Sequence, residues 1–403
     1  MKALLLGAGA SYECSMPLVW EFTGVLRANV LKRLDSHLFD FRKDPSFRAV
    51  LESILSAPTI HYEQMIGELE AMYLKRDLHS ATAHNTLRQL IDCVQILLLE
   101  DQLNTTPMLV EKAKDYAGMK SLLVQHPCLH VFSLNHDLNV EEICKYHGVP
   151  CRDGFYDNAA MRYAHIAQFK TLTKEQMYSG NLNFFPADGL GVNLIKLHGS
   201  LDVFAVEDKN LFLKCTPPAH DPIGGHIREV MRVEAHSIEV CKRIEMRATG
   251  ELIVTDHDGR MQFLRRSLLS GAHKFKGTFD QIAPLAFLEE FKRRITTVTE
   301  LDVIGYGFGD LHINQVLEQW LNTPYVSLNI YDPHRSSIPP TLSAAADKIR
   351  ILNLGLTGYL KSVESPKEGL FARGRRQFLE KARERLYQKR LSAWPASTGT
   401  PTP

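Results

Sequence analysis

The sequence lacks both a dominant charge and a stretch long enough to cross a membrane. Its 403 residues include 47 Lys and Arg against 46 Asp and Glu, which gives a formal net charge of +1. A chain balanced in this way has no overall field that would attract nucleic acid or an acidic membrane. No apolar run approaches the ~18–20 residues that a bilayer-crossing helix needs. We therefore expect a soluble protein that does not contact a membrane.

Cysteine pairs are missing as well. The seven cysteines are an odd number spread along the chain, and no two of them form a Cys-x-x-Cys motif. This pattern indicates reduced thiols in a cytoplasmic protein and argues against a Cys-rich zinc site, so we expect no metal. The dinucleotide fingerprint Gly-x-Gly-x-x-Gly is also incomplete, because Tyr12 stands where its third glycine would be.

What the sequence does contain is a series of short apolar runs that end in Gly, Asn, Asp or a loop. They lie at 2–7, 129–135, 192–199, 301–307, 326–332 and 348–354. Runs of this kind are typical of parallel strands buried on both faces. Helical patterns lie between several of them, for example at 141–146 and 285–295. The alternation predicts an α/β fold with a Rossmann-like, doubly wound parallel sheet and an inserted helical module.

The spacing of these runs also predicts how the chain is divided. We expect a nucleotide-binding part made of residues 1–19, 126–204 and 290–355, interrupted by a helical insertion at 20–125. A second insertion, at 205–289, contains a hairpin signal around Asp256-His257-Asp258-Gly259. Residues 356–403 are expected to form a basic helix and a disordered tail, since 371–390 hold eight Lys or Arg against two Glu. That helix could dock a partner, self-associate, or be a solvated amphipathic helix.

A glycine-rich segment directly follows the first predicted strand: Gly7, Ala8, Gly9, Ala10 and Ser11. Small residues at this point let backbone N–H groups approach a pyrophosphate. The alternative is a tight turn that only joins strand to helix.

Polar residues end the next two predicted strands. Asn135 and Asp137 follow the second strand and His198 ends the third, so all three would lie at the edge where open α/β sheets bind ligands. An imidazole is a usable base near neutral pH, and the glycine after His198 permits close approach of a ligand. The alternatives are that Asp137 or Asn139 is the N-cap of the helix beginning near Val140, and that His198 is only one of 17 histidines.

Two further strand ends carry candidate binding residues. Gly305 and Gly307 belong to the glycine-rich string Ile304 to Asp310. Asp332 ends the following strand and has the acidic character that holds ribose hydroxyls in dinucleotide sites. It could equally be a turn former before Pro333.

Taken in order, these motifs resemble one family. Gly-Ala-Gly-Ala-Ser, Asn-x-Asp, His-Gly-Ser and Gly-Tyr-x-Phe-Gly-Asp-x-His-Ile-Asn (305–314) look like the sirtuin-like NAD-consuming domain, in particular its bacterial antiphage-defence branch. The resemblance covers about half the chain. Two departures are the absence of the two Cys-x-x-Cys zinc pairs of sirtuin deacetylases and the presence of Gly307 where the family usually has Ser.

The resemblance implies a role for each motif. Asn135 and His198 would be the catalytic pair, and Asp137 would contact the nicotinamide amide. The segment from Gly7 to Ser11 would bind the NAD phosphates. Gly305 and Gly307 would line phosphates and ribose, and Asp332 would bind the adenosine ribose.

The same resemblance implies an activity and partners. The expected activity is hydrolysis of NAD to nicotinamide and ADP-ribose, in antiphage defence that works by NAD depletion. The resemblance also implies a homo-oligomer and a HerA-type ATPase partner. This chain would then contact nucleic acid only indirectly, through that partner. One alternative is a sensor that binds NAD or ADP-ribose without turnover. Another is an NAD-dependent protein deacylase, although the missing zinc pairs argue against it. A dehydrogenase fits least, because the glycine fingerprint is incomplete.

Overall fold

A computed structural model describes residues 1–36, 39–158, 160–246, 250–268, 282–364 and 369–392. The predicted disordered tail beyond residue 392 lies outside the described residues. The strands are β1 (Lys2–Leu6), β2 (Cys128–Ser133), β3 (Cys151–Arg152), β4 (Phe169–Thr173), β5 (Gly191–Lys196), β6 (Gly199–Val206), β7 (Leu211–Cys215), β8 (Leu252–Thr255), β9 (Met261–Leu268), β10 (Glu300–Ile304), β11 (Ser327–Tyr331) and β12 (Ile349–Leu352).

The α-helices of the described residues lie between and after these strands. They are α1 (Ala8–Tyr12), α2 (Val19–Arg33), α3 (Phe47–Ser56), α4 (Tyr62–Lys75), α5 (Ser80–Ala113), α6 (Gly118–Gln125), α7 (Asn139–Tyr146), α8 (Lys174–Tyr178), α9 (Gly225–Arg243), α10 (Ile282–Ile295), α11 (Leu311–Leu321), α12 (Leu356–Glu364) and α13 (Leu370–Leu391). None of these helices is both long and apolar enough to cross a membrane.

Seven strands form one parallel sheet in the order β12-β11-β10-β1-β2-β5-β3. All six apolar runs of the sequence are strands of this sheet, which confirms the Rossmann-like α/β fold. The order of the strands reverses at β1, because β2 lies on one side of it and β10 on the other. A crevice at such a reversal, outside the carboxyl ends of the strands, is where open α/β sheets bind ligands.

Both faces of the sheet are covered by helices, as continuous apolar strands require. Along β1, Ala3 and Leu5 pack with α10 and α11, whereas Leu4 and Leu6 pack with α6, α7 and α12. The alternation follows from the two-residue period of a strand.

A second sheet of five strands was not expected from the sequence. Its order is β4-β7-β6-β9-β8, its described pairings are antiparallel, and the predicted hairpin segment supplies β8 and β9. The domain boundary placed at residue 204 falls inside β6. The chain passes from the parallel sheet into this one through the short turn between β5 and β6, which contains His198.

Candidate active site at the carboxyl edge of the parallel sheet

Two glycine-bearing loops interlock at the end of β1. Gly305 has a φ of +63°, a conformation that favours glycine. A Cβ placed on Gly305 would lie 2.6 Å from the Cα of Gly9, and a Cβ on Gly7 would lie 2.6 Å from the carbonyl oxygen of Gly305. These glycines are therefore required for the close contact of the two loops.

The same contact occupies backbone N–H groups of the segment that the resemblance expects to bind the NAD phosphates. The N–H of Gly7 donates to the carbonyl of Ile304 at 3.0 Å, and that of Gly9 donates to the carbonyl of Gly305 at 2.8 Å. Gly307 and Gly309 differ, since a Cβ on either one would meet no atom within 4 Å. Of the predicted glycines in the 305–309 loop, Gly307 thus faces open space and Gly305 faces the neighbouring loop.

Asn135 is held against the glycine-rich segment by its side chain. Its Nδ2 donates to the carbonyl oxygen of Gly7 and to the Oγ of Ser11, both at 2.8 Å. The Ser11 hydroxyl is in turn hydrogen-bonded to Asp137. Since that hydroxyl accepts from Asn135, its proton is available to the carboxylate. An amide, a hydroxyl and a carboxylate thus form one hydrogen-bonded chain at the ends of β1 and β2.

Asp137 closes this chain in a buried position, with 5% of its surface exposed. Burial raises the pKa of its carboxyl, while Lys196 and the Ser11 hydroxyl oppose the rise. One carboxylate oxygen accepts the N–H of Asn139, the first residue of α7, at 3.1 Å. The N-cap of α7 is Leu138 rather than Asp137. The Lys196 ammonium donates to the carbonyl of Asp137.

His198 lies in the turn between the two sheets. Gly199 has a φ of +82°, which lets the chain reverse directly after the imidazole. The side chain of His198 is buried, and its Nε2 lies 3.0 Å from Oδ2 of Asp310. The ring of His136 lies beside it, with 6.3 Å between the ring centroids.

Asp310 itself is fixed by the start of α11. Its Oδ1 accepts the N–H groups of His312 and Ile313 at 3.0 and 3.3 Å, which is an N-cap. Its own N–H donates to the hydroxyl of buried Tyr306 at 3.2 Å. Asp310 therefore holds the helix with one carboxylate oxygen and faces His198 with the other.

Asp332 lies one strand further out, after β11. Its Oδ1 accepts the N–H of His334 at 2.9 Å, and its Oδ2 lies 3.5 Å from Nε of Arg335. The Arg335 guanidinium covers the ring of Phe308 at 5.1 Å from the centroid. The Asp332 carboxylate thus stabilises the turn that begins at Pro333, as the alternative interpretation supposes. Arg335 links this turn to the 305–309 loop through Phe308.

A small cavity with both charged and apolar lining adjoins the turn that carries His198. Its lining comprises Asp153, Phe155, Lys196, Gly199, Ser200, Val203, Lys214, Ser267 and Phe287. The Lys214 ammonium lies 3.1, 3.3 and 3.4 Å from carboxylate oxygens of Glu141, Asp153 and Asp202 respectively. The buried Ser200 hydroxyl has no hydrogen-bond partner among the described residues. The space beside the site is therefore bordered by charged groups and by the apolar side chains of Phe155, Val203 and Phe287.

The structure thus brings most of the predicted residues to one edge. The segments after β1, β2, β5 and β10 meet there, and they carry the glycine-rich segment, Asn135, Asp137, His198 and Gly307. Asp310 lies at the same edge, although the motif that contains it implies no role for it. A signal was available, since an Asp that precedes a helix and ends a glycine-rich strand loop lies at the ligand edge.

The described ranges hold neither a candidate metal site nor a disulfide. No group of three or more His, Cys, Asp or Glu side chains is placed to hold a metal ion in this part of the chain. All seven cysteines, each of which lies in the described ranges, are unpaired thiols.

No protein-family model and no curated protein match the sequence. Solved structures do. A structure described as Sir2Tm bound to a propionylated peptide is 11% identical with a TM-score of 0.37, and the match covers 91% of this chain and 92% of that one. A structure described as the structural basis of sirtuin substrate affinity is 10% identical with a TM-score of 0.40, over 91% and 93% of the two chains. Because one fold hosts many activities, function has to be inferred from the side chains of the site.

Proposed function

We propose that this chain hydrolyses NAD to nicotinamide and ADP-ribose at the carboxyl edge of the parallel sheet. One observation carries the proposal: the hydrogen-bonded chain of Asn135, Ser11 and Asp137 and the buried His198 lie just beyond the ends of the neighbouring strands β2 and β5. Asn135 and His198 each stand two residues beyond a paired position of those strands, Ser133 with Lys196. The resemblance of the motifs to the sirtuin-like family supports the same assignment.

The reaction makes modest demands on the protein. The bond to be broken joins the ribose to a cationic pyridinium, so nicotinamide leaves as a neutral molecule with the bonding electrons. No general acid is needed. The site must hold the ribose, tolerate oxocarbenium character, and place a water, as in glycoside hydrolysis without the acid.

The side chains present can meet these demands. The Asn135 amide both donates and accepts, so it can orient ribose hydroxyls or the water once it exchanges its contacts with Gly7 and Ser11. His198 can take the proton that the attacking water loses. Asp137 is proposed to contact the nicotinamide amide, and Asp332 to contact the adenosine ribose. The open surface at Gly307 leaves room for close approach of phosphates and ribose.

The biological role is proposed from the resemblance alone. It is that of a cytoplasmic effector of bacterial antiphage defence, which depletes NAD when triggered. Such activity has to be gated, because unrestrained loss of NAD kills the cell. A homo-oligomer and a HerA-type ATPase that supplies the trigger are proposed on the same ground.

The direct test is product analysis by chromatography after incubation of purified protein with NAD, with and without the candidate ATPase. Asn135→Ala and His198→Ala are each expected to abolish nicotinamide release. His220→Ala and Asn322→Ala change exposed residues of the same types and serve as matched controls that keep the activity. Unchanged turnover in both Asn135→Ala and His198→Ala would remove the assignment.

A second candidate function is an NAD or ADP-ribose sensor without turnover. It is favoured by one feature, namely that protein groups already engage both candidate catalytic side chains, Asn135 through Gly7 and Ser11 and His198 through Asp310. Calorimetry that shows binding with no nicotinamide product would support the sensor. An acetyl-peptide included in the same assay tests the deacylase alternative.

A further inference from the structure

We propose that Asp310 is a positioning residue that sets which nitrogen of His198 takes up a proton; this inference rests on the proposed NAD hydrolysis. The contact that carries it is the 3.0 Å distance between Nε2 of the buried His198 and Oδ2 of Asp310, whose side chain is 10% exposed. Neither composition nor motif spacing assigned a role to this carboxylate.

The contact favours one tautomer of the imidazole through charge, because it is an ion-pair contact at 3.0 Å rather than a hydrogen bond of good geometry. An ionised carboxylate offers only acceptor positions, so its negative charge favours the hydrogen on the imidazole nitrogen that lies nearest to it. In the neutral ring the lone pair then lies on the other nitrogen, Nδ1. Asp310 therefore makes Nδ1 the basic atom of His198. It also stabilises the imidazolium that forms when a proton is accepted, the role that a buried aspartate has in a Ser-His-Asp triad.

Asp310 can orient the imidazole because several hydrogen bonds fix its own position. Its Oδ1 accepts two N–H groups at the start of α11, and its N–H donates to the Tyr306 hydroxyl. The Tyr306 hydroxyl lies 2.9 Å from Oδ1 of Asn314 on the same helix. Oδ2 is thereby held at one place opposite the imidazole, as a preorganised site requires.

The topology explains why the contact matters for a dinucleotide site. Asp310 follows β10 and His198 follows β5, and β1 and β2 lie between these strands in the sheet. The pair therefore spans the ends of β1 and β2, which carry the glycine-rich segment and Asn135. The imidazole is oriented from the far side of the crevice in which the ribose is proposed to lie.

Two substitutions separate positioning from helix capping. Asp310→Asn and Asp310→Ser both keep a preferred N-cap, so α11 is expected to persist in each. In Asp310→Asn the Oδ1 keeps the cap, which turns the Nδ2 donor toward His198 and imposes the opposite tautomer. We expect kcat to fall on the order of 10³-fold or more, as the corresponding change does in a catalytic triad. Asp310→Ser imposes neither tautomer, so its loss should be smaller.

The spectroscopic measurement is independent of turnover. In protein labelled with ¹⁵N-histidine, two-bond ¹H–¹⁵N correlations identify the protonated nitrogen, and His198→Ala identifies the His198 signals among the 17 histidines. We expect the wild type to carry the hydrogen on Nε2 and Asp310→Asn to carry it on Nδ1, with KM for NAD little changed.

The outcomes are distinguishable. The proposal is supported if the hydrogen moves to Nδ1 in Asp310→Asn and if kcat falls further in Asp310→Asn than in Asp310→Ser. An unchanged tautomer in Asp310→Asn, or a wild-type kcat in both variants, overturns it in favour of a capping role. If the wild-type protein does not consume NAD under any condition, the proposed function fails, and the tautomer comparison alone then decides whether Asp310 sets the state of His198.

Discussion

The guanidinium of Arg383 lies 3.7 Å from the centre of the Tyr12 ring. Tyr12 is the last residue of α1, directly after the glycine-rich segment, whereas Arg383 belongs to the C-terminal helix α13. The same guanidinium donates to both carboxylate oxygens of Glu21, at 2.9 and 2.7 Å. Glu21 is fully buried and Arg383 is 4% exposed. The basic helix is thus anchored inside the molecule, a role that none of its three sequence interpretations included.

Removal of this anchor should destabilise the fold strongly. In Arg383→Ala the buried Glu21 carboxylate loses its main partner, and breaking a buried ion pair costs about 3–5 kcal/mol. Arg390 retains a longer contact with Glu21, 3.4 Å, which cannot replace two hydrogen bonds. We expect the free energy of unfolding in urea to fall by that amount.

The control for this experiment lies on the exposed side of the same helix. Lys381→Ala removes an exposed positive charge and should change the unfolding free energy by no more than about 0.5 kcal/mol. Equal, small effects of the two substitutions would show that α13 is not anchored through Arg383. A chain truncated after Gly369 would lose this anchor too. If such a chain failed to bind a partner, the result would have to be compared with Arg383→Ala, which also lacks the anchor, before it was assigned to docking.

The two glycines of the 305–307 loop should respond differently to alanine. Gly305→Ala requires a positive φ of +63° and places a Cβ 2.6 Å from the Cα of Gly9. The left-handed conformation alone costs roughly 1–2 kcal/mol, so the total destabilisation should exceed about 2 kcal/mol. Gly307→Ala meets no atom within 4 Å and should leave thermal unfolding unchanged.

NAD binding provides a second test of Gly307. If the open surface at Gly307 receives the ligand, Gly307→Ala should weaken NAD binding in calorimetry while stability is kept. Retained affinity in this variant would show that the ligand does not approach Gly307.

The parallel sheet was predictable because its strands are buried on both faces and therefore have continuous apolar runs. The two-residue strand β3 and the antiparallel sheet were not predictable. β3 is too short to give a pattern. β4 pairs with β7 and β6 pairs with β9, and both partner strands are distant in sequence. Local periodicity reports which face of a strand is buried, but it does not report the partner strand.

The candidate site, like the fold, was predictable from the sequence only in part. Asn135 and His198 could be placed from sequence, because the carboxyl ends of parallel strands meet at one edge. The partners of these side chains could not be. The contact of His198 with Asp310 spans two intervening strands, and that of Arg383 with Glu21 joins residues 362 positions apart. Both depend on the finished arrangement of the elements.

Ser11 should be important for stability as well as for the site. Ser11→Ala removes the acceptor for the Asn135 amide and a hydrogen bond to the buried Asp137. A buried polar group left without its partner costs about 1–3 kcal/mol, and we expect that loss in urea unfolding. Ser179→Ala, which alters an exposed hydroxyl bonded to Glu175, is the matched control. A loss no larger than that of the control would show that the hydrogen-bonded chain adds nothing to stability.

Stability should fall on mild acidification because of His130. This histidine is 3% exposed on β2, and burial, with the nearby Arg294, lowers its pKa from 6.5 to about 4. A lowered folded-state pKa means that the unfolded chain binds the proton first, so the contribution is present above pH 6.5 and is lost as the pH falls toward 4. At about 1.4 kcal/mol per unit, the decline attributable to this group is about 3 kcal/mol. Urea unfolding should be measured at several pH values. The free energy of unfolding should fall less on acidification in His130→Gln than in the wild type or in the control His220→Gln. Identical falls in all three proteins would show that His130 does not titrate in this range.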